Sequence, residues 1–304
     1  MVSKTMKRWI EPTAAPLGFR IFNTCLMLLL AAIFLIPFYL IAVASFTDEV
    51  EIAAKGFQFL PKTWTFYNYE YLFGSSTKFF NALKITVFIT VIGTANSLFF
   101  TSLGAYALSR KYLPYRKGLT FYVFLTMLVS GGLIPWYMVI NQLGMVDTIY
   151  ALFVPGTIAT WNLIVMRNSF SALPESLEES AKIDGANDFT VFFRIILPIS
   201  KPILATMIVY WAVGFWNEWY AAMLFISRRN DLKTLQYLLR EILTSNASLN
   251  SRSAVRITTI NDKAIPSESL KMAAVMVATV PVLCVYPFLQ KYFVHGIMLG
   301  SIKE

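Results

Sequence analysis

Histidine, cysteine and charge are all scarce in this chain of 304 residues. The one histidine is His295 and the two cysteines are Cys25 and Cys284. That is too few soft ligands for a zinc or iron–sulfur centre held by this chain alone. An intramembrane zinc protease would need H-E-x-x-H, and one of an aspartyl type would need two Asp within apolar spans; neither is present. Both cysteines stand in apolar stretches, which predicts buried thiols and no disulfide. The dipeptide Gly-Lys does not occur, so there is no phosphate loop of the form G-x4-G-K-[ST], and any use of ATP has to come from a partner. Charged residues are 14% of the chain, against about 25% in a soluble domain.

Apolar residues fill the space left by charge. They make up 57% of the chain, aromatics 15%, and they fall in long blocks. A disordered chain, a soluble globule and a disulfide-rich secreted module are all excluded by that pattern, and one polytopic membrane unit is expected. A bilayer core of about 30 Å takes roughly 20 apolar residues per helix. The sequence predicts an all-α protein with six such spans, near residues 21–45, 80–108, 119–142, 148–166, 202–226 and 270–292. Backbone groups in lipid must be satisfied internally, which demands helices here, because the alternating segments of a β-barrel are absent. The first apolar run, of about 25 residues, exceeds the apolar core of a signal peptide and is read as a retained span.

The net charge of +9 could suggest nucleic acid, but in a membrane chain Lys and Arg mark cytoplasmic loops, so no nucleic-acid partner is expected. Residues 1–20 form a basic tail, and the loop after the second span carries Arg110, Lys111, Arg116 and Lys117 without an acid. Both are expected in the cytoplasm, as are both termini. Loop 227–269 is also basic yet falls outside in a six-span chain; long loops obey the rule less strictly. Residues 21–304 are then the transmembrane domain. The outer cations Arg252, Arg256, Lys263 and Lys271 could attract an acidic glycan, dock an acidic binding protein, or simply be solvated.

The span interiors carry further signals. Gly131, Gly132 and Pro135 interrupt the third span and Pro155 and Gly156 the fourth, either as ordinary packing or as a hinge between access states. In the fifth, Tyr210, Trp211, Gly214, Asn217, Glu218 and Ala221 share one face of a continuous helix. A carboxylate there normally faces a bundle interior or a wet cavity, and Trp216, Trp219 and Tyr220 stand near it. Aromatic faces with a few polar groups suit a sugar. An interfacial aromatic belt fits equally well. Trp161 and Asn162 on the fourth span raise the same question.

The most specific segment is 173–200, LPESLEESAKIDGANDFTVFFRIILPIS. Pro174 and Ser176 mark a helix start, Ser176 with Glu179 fits a capping box, and Gly185 suits the C-terminal cap. Asn187 or Asp188 can open a second helix that ends before Pro198. The product is a helix–Gly–helix elbow, with small Ala181 open to close approach by a partner and five acids around it. Such a segment could instead lie on the headgroups, but anionic lipid prefers basic faces.

This segment resembles the EAA loop of ABC importer permeases, E-A-A-x3-G-x9-I-x-L-P. Glu179, Ala181, Gly185, Ile195, Leu197 and Pro198 fall at the matching positions, and Ser180 replaces the second residue. MRNSF at 166–170, DGAND at 184–188 and WNEWYAA at 216–222 resemble the carbohydrate-uptake, maltose-type branch. The resemblance implies the type I importer permease fold, a second homologous permease, two ATPase subunits that hold ATP and Mg and receive the elbow through Glu179–Ala181, Asp184–Ala186, Ile195, Leu197 and Pro198, and an extracytoplasmic solute-binding protein that delivers sugar. This chain itself would be no enzyme and bind no cofactor. A polyol, glycerophosphodiester or anionic glycan importer, or a stand-alone carrier, are the alternatives.

Overall fold

A computed structural model describes residues 16–75, 77–250 and 268–301. Along the chain run α1 (Leu17–Ser45), α2 (Glu49–Lys55), α3 (Tyr67–Glu70), α4 (Thr77–Ser109), α5 (Arg116–Leu128), α6 (Leu133–Gln142), α7 (Thr160–Ser171), α8 (Ser176–Ile183), α9 (Asp188–Val191), α10 (Leu197–Ile199), α11 (Lys201–Trp216), α12 (Tyr220–Phe225), α13 (Leu235–Asn250) and α14 (Glu268–Ser301). Among the described residues there is no strand, only one antiparallel bridge between Thr47 and Trp64.

The chain divides into two units, residues 1–68 with 267–276, and residues 69–266 with 277–304. In the first, α1 is apolar and exposed along most of its length, as suits a helix surrounded by lipid. Beyond its end, the Glu51 carboxylate accepts the backbone N–H groups of Lys62 and Thr63 and the Thr63 hydroxyl at 2.6 Å. These bonds, the Thr63 hydroxyl first, hold the Glu51 carboxyl down at about 2. Glu49 accepts the N–H groups of Glu268 and Ser269 at 3.2 and 3.0 Å, where a carboxylate meets the positive end of α14.

In the second unit α4 is the spine, and both α11 and α7 pack along it. Gly93 makes the first of these crossings close: a Cβ there would stand 2.9 Å from the Phe215 ring. The shared core is built from Ile89, Met166, Phe170, Phe192, Ile196 and Trp211, among others.

Among the described residues, two helices are long and apolar enough to cross a membrane, Leu17–Ser45 and Lys78–Ser109, and the number rises to four when each of two bent pairs is counted as a span. One bent pair is α5 with α6, at 115°. The breakers in the third span thus turn the chain sharply, with Gly132 at φ +87°. The fourth span differs from the sequence reading: a single 3-10 turn, Ile149–Leu152, leads through Pro155 and Gly156 to a separate helix, Thr160–Ser171. The fifth differs too. Its helix stops at Trp216 and resumes at Tyr220, so Asn217 and Glu218 sit in a break and share no helical face with Trp211. Cys25 and Cys284 are free, as expected, but both are exposed rather than buried. His295 and the outer cations Arg252, Arg256 and Lys263 lie outside what is described of side chains. Lys271 is 7% exposed and pairs with Glu268 at 2.6 Å, which removes it from the open outer cations.

Candidate functional site

The elbow forms from local signals. Helix α8 spans Ser176–Ile183, within a residue or so of its sequence reading. Its N-cap is Glu175, with no side-chain bond, so Ser176 already lies inside the helix and the expected capping box with Glu179 does not form. At the other end Gly185 adopts φ +82°. Gly185 N–H donates to Lys182 at 3.0 Å and Ala186 N–H to Ala181 at 2.9 Å, the paired bonds of a Schellman closure. The Asn187 side chain then accepts from Thr190 N–H at 2.8 Å and opens α9. The second arm does not end before Pro198. A π turn at Phe192–Ile196 carries it into α10, Leu197–Ile199, widening the coil just before the residue that lacks an N–H. This arm, Asp188–Ile199, meets α11 at 83°.

A buried charge network fixes the elbow to the end of α4. Arg110 donates to Glu178 and pairs with it, and the two side chains are only 8% and 9% exposed. The same guanidinium donates to the Phe170 carbonyl at 3.0 Å and stands over the Tyr106 ring at 4.8 Å. Lys182 reaches Glu178 at 3.0 Å and Asp188 at 3.1 Å, so it bridges the two arms. The Tyr112 hydroxyl lies 2.8 Å from Asp188 and 3.0 Å from Glu178, its one proton shared between them. Burial pushes the Glu178 carboxyl up, but the hydrogen bonds from Arg110 and Lys182 outweigh it and hold the group below the usual carboxylate range. Tyr112 and Lys182 do the same for Asp188. Burial and the bond to Asp188 push the Tyr112 phenol up, so it remains a donor.

This arrangement changes the reading of Ala181. It is 9% exposed and packs into the chain's own core, so the close approach its size permits is made within this chain. The outward side of α8 carries Glu179, Ser180 and Ile183, with Ile183 86% exposed. Asp184 and Gly185 are exposed at the bend, Ala186 is half-buried, and Ile195 and Leu197 are half-buried where the second arm meets the core, with Pro198 exposed. Sequence reading missed Arg110, Tyr112 and the inward role of Glu178. Their only signal was that basic residues crowd the loop after α4 and acids crowd α8.

The residues named for a solute path differ in exposure. Trp211 is 5% and Asn162 1% exposed, and Trp211 Nε1 and Asn162 Nδ2 have no hydrogen-bond partner among the described residues. Trp161, also on α7, is 59% exposed. At the break after α11, Asn217 donates to Val213 at 2.9 Å. The Glu218 carboxylate accepts from Ala221 N–H at 2.7 Å, which caps α12, while Thr234 donates to the Glu218 carbonyl at 2.6 Å. Of the aromatics, Trp219 and Tyr220 pack edge to face at 5.6 Å. Trp216 donates to Ala278 at 3.1 Å, and Arg240 covers the Trp219 ring at 3.8 Å.

No protein-family model matches the chain. It is 42% identical over 287 residues to Protein LplC of Bacillus subtilis (strain 168), covering 93% of this chain and 95% of that one. It is 42% identical over 279 residues to the polygalacturonan/rhamnogalacturonan transport system permease protein YtcP of the same organism, covering 91% and 95%. A solved chain from a bacterial ABC transporter involved in the import of the acidic polysaccharide alginate is similar with a TM-score of 0.77 and 28% identity, over 93% of this chain and 99% of that one.

Proposed function

Since the chain belongs to the permease family of ABC sugar importers, we propose that it is the membrane subunit through which an ATP-driven, binding-protein-dependent importer passes oligosaccharides. In this reading it pairs with a second, related permease in the bacterial cell membrane, both termini in the cytoplasm. Two ATPase subunits hold ATP and Mg and grip the elbow, and a solute-binding protein delivers the sugar from outside.

The observation that carries the reading is the bolted elbow. A peg that transmits force must be stiff at its bend and anchored at its base. The Gly185 closure supplies the first, and the network of Arg110, Glu178, Lys182 and Asp188 supplies the second. The anchor lies at the end of α4, so a pull on α8 reaches the spine of the unit as well as α11. Glu179, Ser180 and Ile183 face outward for the ATPase, while Asp184, Gly185, Ala186, Ile195, Leu197 and Pro198 shape the bend and its far arm. Among the path candidates, Trp211 and Asn162 are buried in this structure and would meet sugar only after α4, α7 and α11 move apart. Trp161 and Asn217 are exposed as the structure stands, and Glu218 is half-buried.

An acidic oligosaccharide is the second reading, favoured by two relatives whose names concern polygalacturonan/rhamnogalacturonan and alginate. Two measurements test these readings. Ile183→Cys crosslinking in membranes should capture an ATPase, and capture of none refutes the coupling role. Mass spectrometry of the ligand on the companion binding protein then decides the sugar; a uronic-acid oligomer selects the second reading, a neutral one the first. Solute uptake by the chain alone, without ATP, would instead establish a stand-alone carrier.

A further inference from the structure

We propose that the cleft between the turn after α4, the start of α5 and α7 binds an anionic phospholipid of the cytoplasmic leaflet, a site that rests on the membrane orientation given above. The cleft measures about 950 Å³, and no carboxylate lines it. Arg116 and Arg167 meet there in an unusual way. Both donate from Nε to one acceptor, the Leu108 carbonyl near the end of α4, at 3.1 and 3.3 Å. A helix-terminal carbonyl welcomes one cation. A second guanidinium on the same oxygen sets two like charges side by side, and Lys117 adds a third. Among the described residues no ion pair includes any of the three. Neighbouring Lys111, by contrast, is met by Glu175 at 2.6 Å.

The surplus charge is matched to a phosphodiester, since guanidinium forks take two phosphate oxygens at once. The rest of the cleft says what the phosphate is attached to. Lys117, Phe121 and Phe124 follow at spacings of four and three along α5, on one face, and Ile164 faces them across the cleft. Phe121 and Phe124 are 65% and 42% exposed. Cations thus stand at the start of the helix, and an open apolar stripe leads away from them. That is the order of a headgroup followed by acyl chains, and basic pockets between membrane helices on the cytoplasmic side take such headgroups.

The test uses the complete transporter, assembled with its partners in nanodiscs containing equal phosphatidylglycerol and phosphatidylcholine, with retained lipid counted by native mass spectrometry. Wild type should retain phosphatidylglycerol selectively. Lys117→Gln should lower that retention about fivefold, the weight of one cation near a membrane surface, and Arg116→Gln with Arg167→Gln should abolish the selectivity. Lys117 is the safer variant, because its ammonium anchors no ion pair. Equal retention in wild type and Lys117→Gln, equal retention of the two lipids, or displacement of the lipid by inorganic phosphate alone would each overturn the site. Labelling of Lys117→Cys with a membrane-impermeant maleimide keeps the two failures apart. Reaction from outside overturns the orientation, whereas protection from outside together with lost selectivity overturns the lipid site only.

Discussion

Replacing Arg110 with Met isolates what the ion pair under the elbow contributes. Both partners are nearly buried, at 8% and 9% side-chain exposure, so water screens the pair little. Removing one member of such a pair costs about 3–5 kcal/mol, because the other charge is left stranded. Two features adjust that figure. Lys182 remains 3.0 Å from Glu178 but is 38% exposed, so its compensation is partial. The donation to the Phe170 carbonyl is lost as well, worth about 1 kcal/mol. A net loss of about 3–4 kcal/mol is expected. Adding Glu178→Met removes the stranded charge, and the double variant should fall within about 2 kcal/mol of wild type.

Unfolding of the detergent-solubilised chain by SDS, followed through tryptophan fluorescence, reads both values. A single variant no worse than the double would refute the stranded-charge argument. The acid dependence gives a second reading. In wild type Glu178 is held below its usual range, so its contribution is complete above the ordinary carboxylate value and is lost as pH falls through the lowered one. Without Arg110 burial dominates and raises the group, so the deficit of Arg110→Met should shrink between pH 7 and about 5 as the carboxylate takes a proton. A deficit constant with pH would contradict this.

Four further outcomes follow from single contacts. Gly185→Val adds a Cβ that meets nothing within 4 Å at φ +82°, so its cost is backbone strain alone, roughly 1–2 kcal/mol, less for Asn; ATP hydrolysis should persist while uptake falls in proteoliposomes, and normal uptake would count against the elbow. Gly93→Leu drives into Phe215, 2.9 Å from the added Cβ, and should cost roughly 1–3 kcal/mol in the same SDS titration, with recovery by Phe215→Ala. Glu51 should titrate near 2 rather than 4.5 when its carboxyl carbon is followed by NMR, so its contribution to holding Lys62 and Thr63 is complete above pH 4.5 and fades as pH falls through about 2. Glu218→Ala uncaps α12 at a cost of about 1 kcal/mol, and uptake by Glu218→Asn, which keeps a cap, should stay impaired if the longer acid lines the path.

The elbow was legible because every signal that builds it is local. Pro174, Gly185 and Asn187 act on backbone groups within a turn of themselves, and their spacing alone sets two arms and a bend. Even there, local rules competed: Glu175 took the cap position that Ser176 seemed to claim. The anchor was not legible, because Arg110 and Glu178 are 68 residues apart and spacing says nothing about which basic loop meets which acidic helix. The break in the fifth span was hidden for the same reason. Residues 217–219 contain neither Gly nor Pro, and the interruption is satisfied from afar by Thr234, 16 residues on. An apolar run tells where lipid will accept the chain, not where a distant hydroxyl will open the helix.

These two kinds of contact divide the work in the elbow. Caps decide that a bend exists, at about 1 kcal/mol each, and any sequence with the same punctuation would bend there. Direction is another matter. A bend closed only by Gly185 could swing about the residues flanking α8, and an ATPase pulling on Ile183 would then move the peg without moving the membrane helices. A buried pair such as Arg110–Glu178 adds little net stability over an apolar packing of the same shape, but its geometry is specific. The guanidinium fixes Glu178 and the Phe170 carbonyl together, and Lys182 fixes Glu178 to Asp188. On this reasoning the double variant Arg110→Met with Glu178→Met separates stability from transmission. It should fold nearly as well as wild type, yet the transporter assembled with it should hydrolyse ATP through its ATPases with reduced uptake, and full coupling in a stable double variant would show that the caps alone suffice.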